Sequence, residues 1–136
     1  KAVARRTIHS NAYYTVTQDW VRGVTEVIRL STPIVTLTQL REVHDDLLRV
    51  LRSHGVRRLV FDLRQAPPVS IREFESAMRN YARVLLVELP QRSAFVVATQ
   101  TGLRRVRELN DLSGMAQVGV FLSPAEAAEY VCTETP

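Results

Sequence analysis

The sequence predicts an α/β fold built around a mostly parallel sheet. Three observations support this: short apolar runs alternate with longer helical patterns, Ser/Thr capping boxes mark helix starts, and an aromatic, β-branched segment precedes the first helix. Strands that alternate with helices are joined by crossovers, which place the strands parallel. The predicted order is ββαβαβαβα in three layers, with the first two strands forming an antiparallel hairpin.

Length and composition indicate a single folded domain. The chain has 136 residues, of which 46% are hydrophobic and 24% charged, and this balance is typical of globular domains. We expect a flexible N-terminal segment over residues 1–11, the domain over 12–132 and a short tail over 133–136. No apolar run approaches the ~20 residues of a membrane span. The one cysteine, Cys132, excludes an internal disulfide, so we expect a cytoplasmic protein.

The first half of the chain predicts a hairpin, a helix and a buried strand. The capping box that begins at Thr36 is followed by apolar residues at helical spacing. Gly55 is a typical left-handed stop after a helix. A short apolar run fenced by arginines then indicates a strand that is buried on both faces. The predicted strands are 12–18, 22–30 and 57–63, and the predicted helix is 37–53.

The second half repeats this alternation. Pro67 and Pro68 end the central strand, and Ser70 opens a capping box for the second helix. Ser123 opens another box, with Pro124 at the preferred first helical position. The predicted helices are 71–86, 101–112 and 124–132, and the predicted strands are 93–99 and 118–121.

We expect a binding surface where the central strand passes into the second helix. In open α/β sheets, ligands and partners meet the loops at the carboxyl ends of the strands. The predicted surface is the loop and helix start over 64–73, with the turn 99–105 beside it. Its candidate residues are Asp62, Arg64, Ser70, Arg72, Thr101 and Arg104.

Several of these candidates also have a purely structural explanation. Ser70 can act only as a helix cap, which contributes about 1 kcal/mol to stability. Asp62 can accept hydrogen bonds from loop amides instead of binding a ligand. The arginines of the third helix can pair with acids four residues later on a solvated face. Those pairs are Arg104 with Glu108 and Arg107 with Asp111.

The sequence contains no recognisable catalytic, metal or cofactor motif. The three histidines, His9, His44 and His54, lack the spacing of metal ligands. No G-x-S-x-G elbow is present, although a Ser/His/Asp set assembled only in space stays open. We therefore expect no cofactor and no catalysis. The aromatic residues of the opening hairpin, Tyr13, Tyr14 and Trp20, belong either to the core or to an exposed patch.

The central junction resembles the STAS-like domains, which include bacterial anti-sigma-factor antagonists and STAS/SEC14-type single-domain bacterial proteins. The matching residues are Leu59-Val60-Phe61-Asp62-Leu63-Arg64 followed by Ser70, and Val118-Gly119-Val120-Phe121 followed by Ser123-Pro124-Ala125-Glu126-Ala127-Ala128. The resemblance covers about residues 12–132. In the antagonist branch, a partner kinase phosphorylates a serine at this helix start, and that role would fall on Ser70. The family's Asp-Ser-(Ser/Thr)-Gly turn is replaced here by Pro68-Val69-Ser70-Ile71.

The resemblance implies a regulatory module that binds a protein partner, such as a regulator or a kinase, without catalysis. Two alternatives stay open: a carrier or sensor of a small apolar ligand, as in the SEC14 branch, and an enzyme whose site the sequence hides. The formal charge of +4 weakly favours acidic partners and does not by itself indicate specific nucleic-acid binding. A large apolar cavity under the second helix would favour the carrier. A cleft that joins Asp62 to a histidine would favour the enzyme.

Overall fold

The computed structural model describes residues 4–68, 72 and 74–133. The described residues form an α/β fold with a six-stranded mixed sheet and four α-helices. In chain order the elements are β1 (Arg5–Ser10), β2 (Tyr14–Asp19), β3 (Val24–Arg29), α1 (Leu37–Ser53), β4 (Arg58–Asp62), α2 (Phe74–Arg83), a π-helical segment (Val84–Glu88), β5 (Arg92–Val96), α3 (Gln100–Leu112), β6 (Gly119–Phe121) and α4 (Pro124–Cys132).

The strands lie in the sheet in the same order as in the sequence. The pairs β1–β2 and β2–β3 are antiparallel, whereas β3, β4, β5 and β6 run parallel. The predicted parallel core with an antiparallel N-terminal hairpin is therefore confirmed. Val27, Phe61, Phe95 and Val120 lie side by side across the parallel strands.

The strand β1 was not predicted, and it lies within the segment 1–11 that the sequence analysis left without secondary structure. This strand pairs with β2 along its length, and Asn11 holds the connecting turn because its Oδ1 accepts hydrogen bonds from the amides of Tyr13 and Tyr14 at 2.8 Å. An edge strand with largely exposed side chains needs no apolar alternation. Its polar sequence therefore gave no strand signal.

Apolar residues form two clusters around the sheet. The larger cluster joins β2–β6 to α1, α3 and the π-helical segment, with Leu51 and Leu59 fully buried. In the smaller cluster, Ala127 and Val131 of α4 pack on Val60 and on neighbouring residues of β3 and β5. Consecutive residues of β4 and β5 enter different clusters, which explains why these two strands read as short apolar runs.

Local capping determines the helix boundaries. The side chains of Thr36, Thr99 and Ser123 accept hydrogen bonds from the amides at the starts of α1, α3 and α4. Gly55 adopts a φ of 63°, the left-handed conformation predicted for it. No helix in the described part of the chain is long and apolar enough to cross a membrane.

The second helix differs from its prediction at its end. It was expected to run over 71–86, but the α-helix ends at Arg83 and continues as a π-helical segment in which the amide of Leu89 donates to the Val84 carbonyl at 2.9 Å. Buried Leu85 and Leu86 lie in this segment. The capping box of Ser70 and Glu73 lies outside the described residues.

Candidate functional site

An ion pair between Asp62 and Arg64 forms the centre of the predicted surface. Asp62 is buried at the carboxyl end of β4, and its Oδ1 accepts from the Arg64 amide at 3.0 Å. The Arg64 guanidinium grips the same carboxylate in a fork, with Nε 3.0 Å from Oδ1 and Nη2 2.8 Å from Oδ2. Hydrogen bonding to Asp62 raises the pKa of Arg64. The fork of hydrogen bonds holds the guanidinium in place. The Arg64 side chain nevertheless remains 45% exposed and faces solvent.

A second carboxylate lies near this pair, on the strand beside it. Burial raises the pKa of Glu26 on β3, while the positive charges of Arg5 and Arg64 act in the opposite direction and the charge of Asp62 raises the pKa further. Burial therefore favours the neutral form of the Glu26 carboxyl group. The sequence analysis did not identify it, because an acid in an alternating strand is normally a solvent-facing residue.

Three of the other predicted residues are exposed. Thr101 and Arg104 lie in the first two turns of α3, and Arg72 lies in an exposed turn before α2. The amide of Leu63 donates to the Val96 carbonyl at 2.8 Å, which joins the loop after β4 to the end of β5. The turn between β5 and α3 therefore begins beside the loop that follows β4. Ser70 lies outside the described residues.

Charge pairing on the helices differs from the prediction. Arg107 does not pair with Asp111: its Nη2 donates to the Val120 carbonyl at 3.1 Å. The helix geometry allowed the predicted pair, but the end of β6 offers Arg107 a backbone acceptor. On α1, Arg49 forms an ion pair with Asp46.

The sequence analysis did not identify a buried polar cluster that lies where α1 packs on β2 and β3. His44 of α1 is 1% exposed, and its Nδ1 donates to the Leu40 carbonyl at 2.8 Å. Its Nε2 is then an acceptor, and the Tyr14 hydroxyl donates to it at 2.8 Å. Burial lowers the pKa of His44 and raises that of Tyr14. The ring is neutral and fully hydrogen-bonded, which is the arrangement of a structural histidine.

Two further side chains close this cluster. The guanidinium of Arg29, which is 7% exposed, lies 5.5 Å from the centre of the Tyr14 ring, and its Nη1 donates to backbone carbonyls. Tyr81 of α2 stacks on His44 with ring centres 5.0 Å apart and donates to Asp45 at 2.8 Å. The sequence offered one signal for this cluster, namely an arginine, Arg29, at the end of an apolar strand. The residues that surround Arg29 could not be identified from the sequence because they come from three other elements.

Two hollows on the described surface are open, and both have polar as well as apolar groups in their lining. One, of about 520 Å³, lies beside α1 between Tyr13 and the acids Glu42, Asp45 and Asp46. The other, of about 260 Å³, lies between α1 and α2 near Arg41 and Tyr81. Neither includes Asp62. Within residues 4–68, 72 and 74–133, no three His, Cys, Asp or Glu side chains group as metal ligands would.

The comparisons with known proteins identify no relative. No protein-family model matches the chain, no curated protein matches it, and no solved structure matches it.

Proposed function

We propose that this chain is a non-catalytic regulatory module that binds a protein partner at the carboxyl end of its parallel strands. The surface consists of Arg64 and the loop after it, with Arg72, Thr101 and Arg104 as further contacts. As part of this proposal, the domain is three-layered and STAS-like, and Ser70 is its regulated residue. The partner presents acidic groups to this surface.

The observation that carries the proposal is the Asp62–Arg64 fork. Asp62 is the carboxylate at the place where α/β proteins build their sites, but Arg64 already occupies both of its oxygens. A carboxylate held in this way cannot serve as a free base or nucleophile. Conversely, the guanidinium is fixed and half exposed, and such a group recognises a carboxylate or phosphate with little loss of side-chain entropy.

The described residues favour this role over the two alternatives. The partner of Asp62 is an arginine and not a histidine, so the cleft that the enzyme alternative requires is not formed by these residues. The hollow between α1 and α2 is small, open and partly polar, unlike an enclosed apolar site for a ligand.

The proposal is tested by capture of partners from the native host with tagged wild-type protein, followed by mass spectrometry of bound proteins and lipids. The captured protein is then titrated against the wild type, Arg64→Ala and Arg79→Ala. Arg79→Ala is the matched control because it removes an exposed arginine from α2, away from the proposed surface. We expect Arg64→Ala to weaken binding by about tenfold or more, because hydrogen bonds to a charged group contribute about 1.5–3 kcal/mol, and Arg79→Ala to bind normally. Equal affinity of all three proteins would contradict the proposed surface.

A further inference from the structure

A second surface lies at the opposite end of the sheet, where the parallel strands begin. The turn between β2 and β3 carries two exposed apolar residues: Trp20 is 58% exposed and Val21 is 75% exposed. The Trp20 amide donates to the Ala4 carbonyl at 3.2 Å, so the start of β1 lies beside this turn. Two large apolar side chains are therefore held at the tip of a well-defined hairpin and packed against little else.

Arginines surround this tip. The guanidinium of Arg6 lies 5.8 Å from the centre of the Trp20 ring. Arg58, at the start of β4, donates from Nη1 to the Arg22 carbonyl at 2.8 Å, which fixes the turn against the sheet. Arg57 precedes it and is exposed. We define the basic tip as Trp20 and Val21 with Arg6, Arg22, Arg57 and Arg58.

The acid beside this turn offsets only part of the charge of the four arginines. It is Asp19, whose Oδ1 accepts hydrogen bonds from the amides of Val21 and Arg22 at 3.1 Å and whose single negative charge faces four positive ones. The charge of Glu26 interacts with that of Arg5, whose backbone lies opposite that of Asp19 in the β1–β2 ladder. The tip therefore combines a small apolar projection with a surplus of positive charge.

We propose that the basic tip binds an anionic lipid surface, with Trp20 and Val21 entering the headgroup region and the arginines meeting lipid phosphates and carboxylates. Tryptophan prefers the interface of a bilayer, where its ring is partly buried and its N–H stays hydrated. Basic residues near an anionic leaflet each strengthen binding by about fivefold. Exposed Val21 favours lipid over nucleic acid, because an aliphatic side chain has neither a stacking face nor a donor for a base.

This surface is independent of the proposed partner site. The tip adjoins the first residues of β3 and β4, whereas Asp62 is the last residue of β4 and Arg64 follows it. Substitutions at one end therefore test that end alone.

Trp20 is the chain's single tryptophan, so intrinsic fluorescence reports directly on the tip. The full chain is mixed with phosphatidylcholine vesicles containing 30% phosphatidylserine, and with pure phosphatidylcholine vesicles. We expect a blue shift of the emission, protection from acrylamide quenching and co-sedimentation with the anionic vesicles, all reduced by high salt. Arg22→Glu should weaken binding by more than fivefold, and Val21→Asp should abolish the blue shift.

Two variants control for charge and for exposed apolar area. Arg79→Glu makes the same charge change on α2, and Leu112→Ser removes the exposed leucine at the end of α3, where it is 85% exposed. Both should bind vesicles like the wild type. Absence of vesicle binding would overturn the proposal, as would equal weakening by Arg22→Glu and Arg79→Glu. A shift produced by an oligonucleotide but not by the vesicles would also overturn it and assign the tip to nucleic acid.

Discussion

Gly119 of β6 occupies a position where even one added methyl group should destabilise the fold. A Cβ built at this residue would lie 2.6 Å from Cε2 of Phe121 and 2.8 Å from Cδ2 and Cε2 of Tyr130. Carbon atoms in contact are normally about 3.5–4.0 Å apart. Each ring would therefore have to move by about 1 Å to accept an alanine.

The Tyr130 ring has little freedom to make this movement. Its hydroxyl donates to the Gln117 carbonyl at 2.6 Å, and the Arg92 guanidinium lies 4.0 Å from the ring centre. Arg92 also donates from Nε to the Tyr130 carbonyl at 2.7 Å. Overpacking of this kind costs about 1–3 kcal/mol, offset by the roughly 0.5–1 kcal/mol that alanine gains over glycine in a regular element. Gly119→Ala should therefore lower the free energy of unfolding by about 1–2 kcal/mol.

Urea denaturation followed by circular dichroism measures this difference, and the same substitution in a Tyr130→Ala background supplies the control. Removal of the ring eliminates two of the three short contacts, so Gly119→Ala should cost clearly less there. The difference between the two costs is the coupling energy of the pair. If Gly119→Ala is neutral in the wild-type background, or costs the same in both backgrounds, the steric explanation fails.

Three further predictions concern the buried cluster and the predicted regulatory serine. Tyr14→Phe should cost about 1–3 kcal/mol in a urea melt because it leaves Nε2 of His44 buried without a donor, whereas Tyr13→Phe, at a half-buried hydroxyl, should cost less. Burial lowers the pKa of His44, so below about pH 6.5 the unfolded chain binds a proton that the folded chain does not. Unfolding free energy should therefore fall as pH drops towards the folded pKa, by at most about 1.4 kcal/mol per pH unit from this group, and a His44→Gln variant with an equally steep profile would contradict this. Ser70→Asp should weaken binding of a partner recovered from the host while Ser70→Ala binds normally, and equal titration curves for wild type and Ser70→Asp would leave the serine without a regulatory role.

Local signals predicted the elements that depend on local interactions. The predicted bounds of α1 and α4, residues 37–53 and 124–132, agree with the structure because Thr36 and Ser123 cap their starts and an apolar stripe defines each length. The strand pairing also followed from the strand-helix alternation. By contrast, the backbone of β1 pairs only with β2 in the sheet, and no property of its own six residues specifies a strand.

The candidate site was predictable only in part. Asp62 was placed correctly at the end of a buried strand, and its hydrogen bond from a loop amide was one of the explanations considered. The fork with Arg64 depends on a side-chain rotamer, which a sequence pattern does not determine. The cluster of Arg29, Tyr14 and His44 joins residues that lie 15 or more positions apart, so it emerges only when the helix packs on the sheet.

The sequential order of the strands has a consequence for how the protein folds. Each strand pairs with the strand that precedes it in the chain. A single crossover connection separates the partner residues of each parallel pair, such as Val24 with Arg58 and Arg58 with Arg92. No strand must be inserted between two others that have already paired. The strand pairings are therefore as local as a parallel sheet permits, which favours faster folding than a parallel sheet in which later strands insert between earlier ones. The sheet can grow at one edge in the order in which the ribosome releases the chain.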